Sequence, residues 1–334
     1  MPDDILNKIK SADLTGRGGA GFPVYKKWEA VKKAKGTKKY VICNASEREP
    51  GVKKDLHILE NFPEVVFKGL KIAMDCIETK ECYFNFNEEY YEKLKDSIDS
   101  LVSKYKEQGY KIRIYKEKIS YIGGEETALL NAIEGLRVQP RLKPPYPTDE
   151  GLYGMPTLVH NVETLYDVAL IAEGKYEGKR FYTISGKVNN PGIHSFSEEL
   201  TIADILKETG NTPDFEFFVH ARGGASGIIH NSDQIKKEKA GGTGAIIVHK
   251  IDEDPRGVIL SWLEFFNEES CGKCTPCREG TYQLYNLVKK NKKKIPWEEM
   301  SPILDVLDTT SFCPLGKSVS IPIKSYKANV LSVK

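Results

Sequence analysis

Four of the seven cysteines in this 334-residue chain are set out as a ligand group. Cys271, Cys274 and Cys277 form a C-x2-C-x2-C run, and Cys313 stands further on, directly before Pro314. Two-residue gaps let one loop present three thiolates to the corners of a cubane, and a remote thiolate closes the fourth corner; this is the ligand logic of a 4Fe-4S cluster. The alternative is a four-cysteine zinc site, whose ligands usually divide into two close pairs rather than three plus one. Lys273 and Arg278 either bring positive charge to the thiolates or are solvated surface residues. Cys43, Cys76 and Cys82 lie scattered among apolar neighbours and show no such pattern.

A second stretch with chemical potential is Gly16-Arg17-Gly18-Gly19-Ala20-Gly21, which satisfies G-x-G-x-x-G. The dinucleotide reading of that pattern needs a strand before it, whereas DDILNKIKSA reads as an amphipathic helix, so an ordinary Rossmann fingerprint is not expected. Four glycines in six residues still leave a backbone that a flat ligand can approach closely. Phe22, Lys27 and Trp28 add aromatic surface and a cation beside it. Gly123 and Gly124 lead through Glu125 and Glu126 into an apolar helix, ALLNAI.

The elements that must position these residues alternate from residue 39 onward. KKYVICNAS reads as a buried strand, FPEVVFKGLKIAMDCI as a helix, ECYFNFN as a strand, EEYYEKLKDSIDSLVSKYKEQG as an amphipathic helix and KIRIYKEK as a strand. Such alternation builds a mostly parallel α/β sheet that binds ligands beyond the carboxyl ends of its strands. Residues 136–165 hold five prolines and read as a loop that lines a ligand. A small α+β domain begins near Arg180, and from Asp254 the chain turns helical. The expected division is 1–175, 176–250 and 251–334.

Composition excludes other classes. Forty-nine basic against 47 acidic residues give a net charge of +2, too balanced for a nucleic-acid binder. No apolar run approaches the ~18 residues of a membrane span. Acids and lysines at the start replace the apolar core of a signal peptide, so a cytoplasmic protein without a disulfide framework is expected.

Together GRGGAGFP from Gly16, CNASEREPG from Cys43, YIGGEETALLNAIEG from Tyr121, RLKPPYP from Arg141, PTLVHNVETL from Pro156 and ESCGKCTPCREG from Glu269 occur in this order. They resemble the flavin-bearing NADH-oxidising subunit of respiratory complex I and its relatives in NAD-reducing or bifurcating hydrogenases and formate dehydrogenases. The resemblance implies an atypical Rossmann-like FMN and NAD(H) domain, a small ubiquitin-like (SLBB) α+β domain and a C-terminal helical bundle with a 4Fe-4S cluster. By position, Gly16, Arg17, Gly18, Lys27, Asn44, Gly124, Glu125, Asn161 and Thr164 would surround FMN. Phe22, Lys143 and Tyr146 would line the nicotinamide nucleotide site, with Glu49 and Glu126 as the carboxylates that orient the nucleotide. Cys271, Cys274, Cys277 and Cys313 would ligate the cluster. The resemblance also implies a partner, a small thioredoxin-fold 2Fe-2S subunit within a larger redox complex that sits peripherally if it is membrane-bound.

The chain departs from the family pattern at several positions. Ser46 takes the place of an Asp, Arg48 adds a guanidinium, Ala30 removes an aromatic ring, and Tyr146 stands for a Phe. Gly123 stands for a Cys and His160 for an Asn. The retained Glu49 and Glu126 favour NAD(H), since a carboxylate on a ribose diol selects the unphosphorylated nucleotide. Arg48 is a candidate partner for the extra phosphate of NADP(H). The rival reading is a structural or relay subunit that keeps the cluster and does not oxidise a nucleotide.

Overall fold

Ile5, Leu6 and Ile9 are buried along one face of α1 (Pro2–Ser11), so an amphipathic helix does precede the glycine loop. The computed structural model describes residues 2–117 and 120–332. The chain packs as two units, Met1–Arg48 with Lys53–Phe181 and Glu49–Val52 with Tyr182–Lys334.

In the first unit α2 (Val24–Lys33) leads to β1 (Tyr40–Ala45), then α3 (Lys54–Asn61), α4 (Pro63–Cys76), β2 (Glu81–Asn87), α5 (Glu88–Glu107) and β3 (Lys111–Glu117). Next come α6 (Glu126–Ile133), β4 (Thr157–Asn161) and α7 (Val162–Glu173). The four strands lie in the order β3-β2-β1-β4, all parallel. Val41, Ile42 and Cys43 run apolar without alternation because helices cover both faces of the sheet. Side chains start the helices: Asn87 caps α5, Glu125 caps α6 and Asn161 caps α7. The chain moves outward from β1 to β2 and β3, then returns to place β4 on the other side of β1. That reversal opens a crevice at the carboxyl ends of β1 and β4, the place where parallel sheets bind ligands.

One expectation needs correction. Within 136–165 the segment Thr157–Asn161 is a buried strand paired to β1, and Val162 already begins α7. Five residues between a proline-rich loop and a helix are too few to show a period, and tertiary pairing decides their state.

The second unit holds β5 (Lys179–Gly186), β6 (Gly192–Ser197), α8 (Ile202–Glu208), β7 (Phe217–Ala221), β8 (Ile228–Asn231) and β9 (Ala245–Lys250). Its sheet runs β6-β5-β9-β7-β8, with the first and last strands parallel at its centre, as in ubiquitin-like domains. Tyr182, Ile184, Ile205, Val219 and Val248 fill its core. Five helices follow: α9 (Pro255–Glu269), α10 (Thr275–Lys290), α11 (Trp297–Thr310), α12 (Pro314–Ser318) and α13 (Ser320–Tyr326), the last running into a π-helical turn at Lys327–Leu331. The free side of edge strand β8 is closed by this end. Ser325 Oγ accepts from Ile229 N at 3.0 Å, and Asn329 Nδ2 donates to Ile229 O at 2.7 Å.

Candidate functional site

The glycine loop is closed by Gly16 N donating to Phe22 O at 2.9 Å, and Gly19 and Gly21 adopt φ of 106° and 63°, which favours glycine there. It sits at the carboxyl end of β4: a Cβ on Gly18 would meet the Asn161 side chain at 3.4 Å. The loop therefore reaches the crevice by packing beside β4, not by following β1. Arg17 fixes it from behind. Its backbone N donates to Thr164 Oγ1 at 2.9 Å, and its buried guanidinium donates to Asp167 at 3.0 Å and Tyr176 at 2.8 Å.

Across the crevice, Asn44 Nδ2 donates to Gly124 O at 3.0 Å, while Asn44 Oδ1 accepts from Ser46 N and from Asn85. This ties the end of β1 to the turn before α6. An added Cβ at Gly124 would meet Ser46 O at 3.3 Å, so the turn before α6 packs closely on the chain leaving β1. The departure at Gly123 has a steric cause: an added Cβ would overlap Glu117 Oε1, because the buried Glu117 carboxylate fills the space of a side chain.

Lys27, Glu125, Glu126 and Lys143 come together in one ion cluster. Lys27 Nζ lies 2.8 Å from Glu126, and Lys143 Nζ lies 2.9 Å from both Glu125 and Glu126. Burial alone would raise the Glu126 carboxyl, but Lys27 and Lys143 outweigh it and hold it at about 2. Glu125 also accepts from Thr127 N and Ala128 N at 2.9 Å each, so it is the α6 cap as well. Trp28 Nε1 donates to His160 Nε2 at 2.6 Å, and burial followed by the Lys27 charge keeps that imidazole neutral. Phe22 and Tyr146 are 52% and 53% exposed, apolar surface free to stack on a ligand ring.

Sequence reasoning missed a buried ion network at the start of α3. Lys54 pairs with Asp55 at 2.5 Å and Glu163 at 3.2 Å and donates to Asn161 Oδ1 at 3.1 Å. Burial would lower the Lys54 ammonium, yet Asp55, Glu163 and Glu47 keep it above its ordinary range. Glu47 is pushed up to about 8 by burial and by the Asp55 charge, although it accepts from Asp55 N and Tyr90 Oη. A Lys-Lys-Asp run reads from sequence as solvated surface, so only the three-dimensional burial reveals this network.

Glu49 belongs to the second unit by packing. Its Oε1 accepts from Ala225 N, Ser226 N and Ser226 Oγ, each at 3.0 Å. The loop that receives it needs glycine at 223, where an added Cβ would fall 2.5 Å from Glu49 Oε1.

The four candidate thiols also gather in the second unit. Cys274 is the N-cap of α10, Cys277 lies in its first turn and Cys313 is the N-cap of α12. A helix start favours an anionic thiolate. Burial, and then the neighbouring Cys274, Cys313 and Cys271, push the Cys277 thiol up to about 11 against the Ser270 hydrogen bond. Among the described residues no three His, Cys, Asp or Glu side chains are grouped to hold a single metal ion. Cys271 and Cys274 are partly exposed, whereas Cys277 and Cys313 are buried. Arg278 donates to Gly272 O at 3.0 Å and pairs with Glu279, which makes it a loop brace.

The residues present suit the two groups that the motifs imply. In the crevice, Ser46 Oγ and Asn85 Oδ1 are buried without a hydrogen-bond partner, Ser46 beside Gly124, and a polar ligand would supply partners. Around the thiols, Ser311 Oγ is likewise buried and unpartnered, and four soft sulfur donors suit iron and sulfide.

Comparison with known proteins gives concordant matches. Residues 9–170 match the Nuo51 FMN-binding domain, and residues 257–329 match the NADH-ubiquinone oxidoreductase-F iron-sulfur binding region. The F subunit of NADH-quinone oxidoreductase from Aquifex aeolicus is 35% identical, over 94% of this chain and 81% of that protein. A corresponding F-type subunit of the NADH-quinone oxidoreductase from Rhizobium meliloti is 32% identical, over 97% and 86%. An NAD+-reducing NiFe hydrogenase in the H2-reduced state superposes with a TM-score of 0.91 at 29% identity over 98% of this chain, which spans 62% of the hydrogenase chain.

Proposed function

The chain belongs to the family of NADH-quinone oxidoreductase F subunits and is an FMN and 4Fe-4S electron-transfer subunit of the NADH dehydrogenase type, and from that premise we propose how its residues divide the work. FMN, when bound, takes the two electrons of a nicotinamide nucleotide together and yields them singly to an iron-sulfur cluster. Gly16, Gly18 and Gly124 supply backbone without side chains for it, Asn44, Asn161 and Thr164 hold that backbone in shape, and Arg17 anchors the loop through Asp167. Phe22 and Tyr146 offer rings to the nucleotide, and Lys27, Glu125, Glu126 and Lys143 form a pre-organised polar wall that needs no proton transfer. Glu49 and Glu126 act by orientation. Cys271, Cys274, Cys277 and Cys313 hold the cluster.

We divide the chain functionally at 175 and 250. The electron partner we propose is a small thioredoxin-fold 2Fe-2S subunit within a larger complex, cytoplasmic and peripheral to any membrane part. Among the described residues no helix is long and apolar enough to cross a membrane.

The observation that carries the reading is the joint presence of a glycine-lined crevice at a parallel-sheet switch point and a four-thiol group at the starts of α10 and α12. It is tested by anaerobic bleaching of flavin in holoprotein. Bleaching faster by NADH than by NADPH is expected, and no bleaching by either supports a structural or relay subunit. One observation favours a second specificity: Arg48 Nε and Nη2 are buried without a partner, as a phosphate-accepting guanidinium would be. NADPH bleaching that Arg48→Ala abolishes, with NADH bleaching retained, identifies that case.

A further inference from the structure

Two serine hydroxyls, those of Ser270 and Ser311, stand beside the Cys277 side chain. Ser270 is the C-terminal cap residue of α9, and its Oγ lies 3.3 Å from Cys277 Sγ. The same Oγ accepts from Gly272 N at 3.4 Å, a bond that leaves its single O–H available to donate. A thiolate bound to iron carries no proton, so in that contact the hydroxyl must donate. Ser311 is 4% exposed and its Oγ has no partner. It lies in the same packing cell: a Cβ on Gly316 would meet Ser311 Oγ at 2.5 Å and Cys277 Cβ at 3.1 Å. Glycine at 316 therefore keeps the Ser311 hydroxyl and the Cys277 side chain side by side, with no Cβ wedged between them.

A buried hydroxyl without a partner is costly, and the Cys277 side chain stands beside that of Ser311. We propose that Ser270 and Ser311 are positioning residues of the electron-transfer step, donating hydrogen bonds to the sulfur atoms of the cluster site and thereby raising its reduction potential. The direction follows from charge. Reduction adds negative charge to cluster and thiolates, a donated hydrogen bond stabilises the more negative state, and the potential rises. The inference deepens the cluster reading and rests on it.

The test uses anaerobically prepared holoprotein of wild type, Ser270→Ala, Ser270→Thr, Ser311→Ala and the double alanine variant. Iron and sulfide analysis comes first, followed by an EPR-monitored redox titration and proton ENDOR of the reduced cluster in H2O and D2O. Each alanine variant with its full iron should titrate at a more negative potential and lose an exchangeable proton coupling, and the double variant should shift further. Ser270→Thr, which keeps a hydroxyl, should restore both signals. Ser270→Ala carries the decision even where Ser311→Ala fails to load iron. An unmoved potential and unchanged proton couplings in iron-replete Ser270→Ala overturn the inference alone. Stoichiometric zinc without sulfide in wild type overturns the cluster reading and the inference with it.

Discussion

Lys27 Nζ lies 2.8 Å from a Glu126 carboxylate oxygen, joining α2 to the first turn of α6 across 99 positions of sequence. Because Lys143 shares the same carboxylate, Glu126→Gln takes away the Lys27 ion pair and leaves Lys143 to Glu125. Removing one member of such a partly buried group should cost about 1–3 kcal/mol in urea unfolding of the flavin-free protein.

The same residue sets an acid limit. Its folded-state value of about 2 lies below the ordinary 4.5, so its contribution is complete above 4.5 and is lost as pH falls toward 2. Unfolding free energy measured over that range should drop more steeply in wild type than in Glu126→Gln, and parallel curves would contradict this.

Glu47 works in the opposite sense. With its folded-state value raised to about 8, the native state keeps a proton that the unfolded chain has lost, so stability declines as pH climbs from 4.5 through 8. Thermal melts of flavin-free protein between about pH 6 and 8 should show this decline, reduced in Glu47→Gln.

The Gly123–Glu117 fit predicts a compensating pair. Gly123→Ala alone drives a methyl into the Glu117 carboxylate and should destabilise by about 1–3 kcal/mol. Adding Glu117→Ala should return part of that loss, a coupling that a double-mutant cycle measures directly.

Iron content separates the two sets of cysteines. Cys274→Ala should lose the cluster and leave α10 to α12 sensitive to protease, since thiolate ligation is coupled to folding. Cys43→Ala and Cys82→Ala, both buried in the parallel sheet, should keep full iron while losing some stability.

Much of this site is legible from the order of residues because its candidate ligand-binding residues sit at chain reversals with strong local signatures. Gly16–Gly21, Gly123-Gly124 and the C-x2-C-x2-C run are each dictated by a backbone or ligand demand that few residue types satisfy. The strands and helices from β1 to β3 show for the same reason: long apolar periods leave little choice. What does not show is anything set by partners far away in sequence. β4 is a strand only because β1 offers it a neighbour, and Lys54 and Asp55 are interior residues only because Glu163 and Asn161 meet them there. Arg17 has the same character, since its position in a glycine loop suggests ligand contact while its guanidinium is spent on Asp167.

The closure of β8 by Ser325 and Asn329 bears on how the protein is made. A sheet edge is a template for pairing with any other extended chain. Here that template is masked by Ser325 and Asn329, which follow β9 in sequence and so leave the ribosome after the sheet has been synthesised. Until they arrive, the nascent second unit carries an adhesive margin, and a polypeptide broken off before Ser325 keeps it permanently. The end of α13 and the turn at Lys327–Leu331 thus double as a late seal on the sheet, and fragments that lack them should stick to one another.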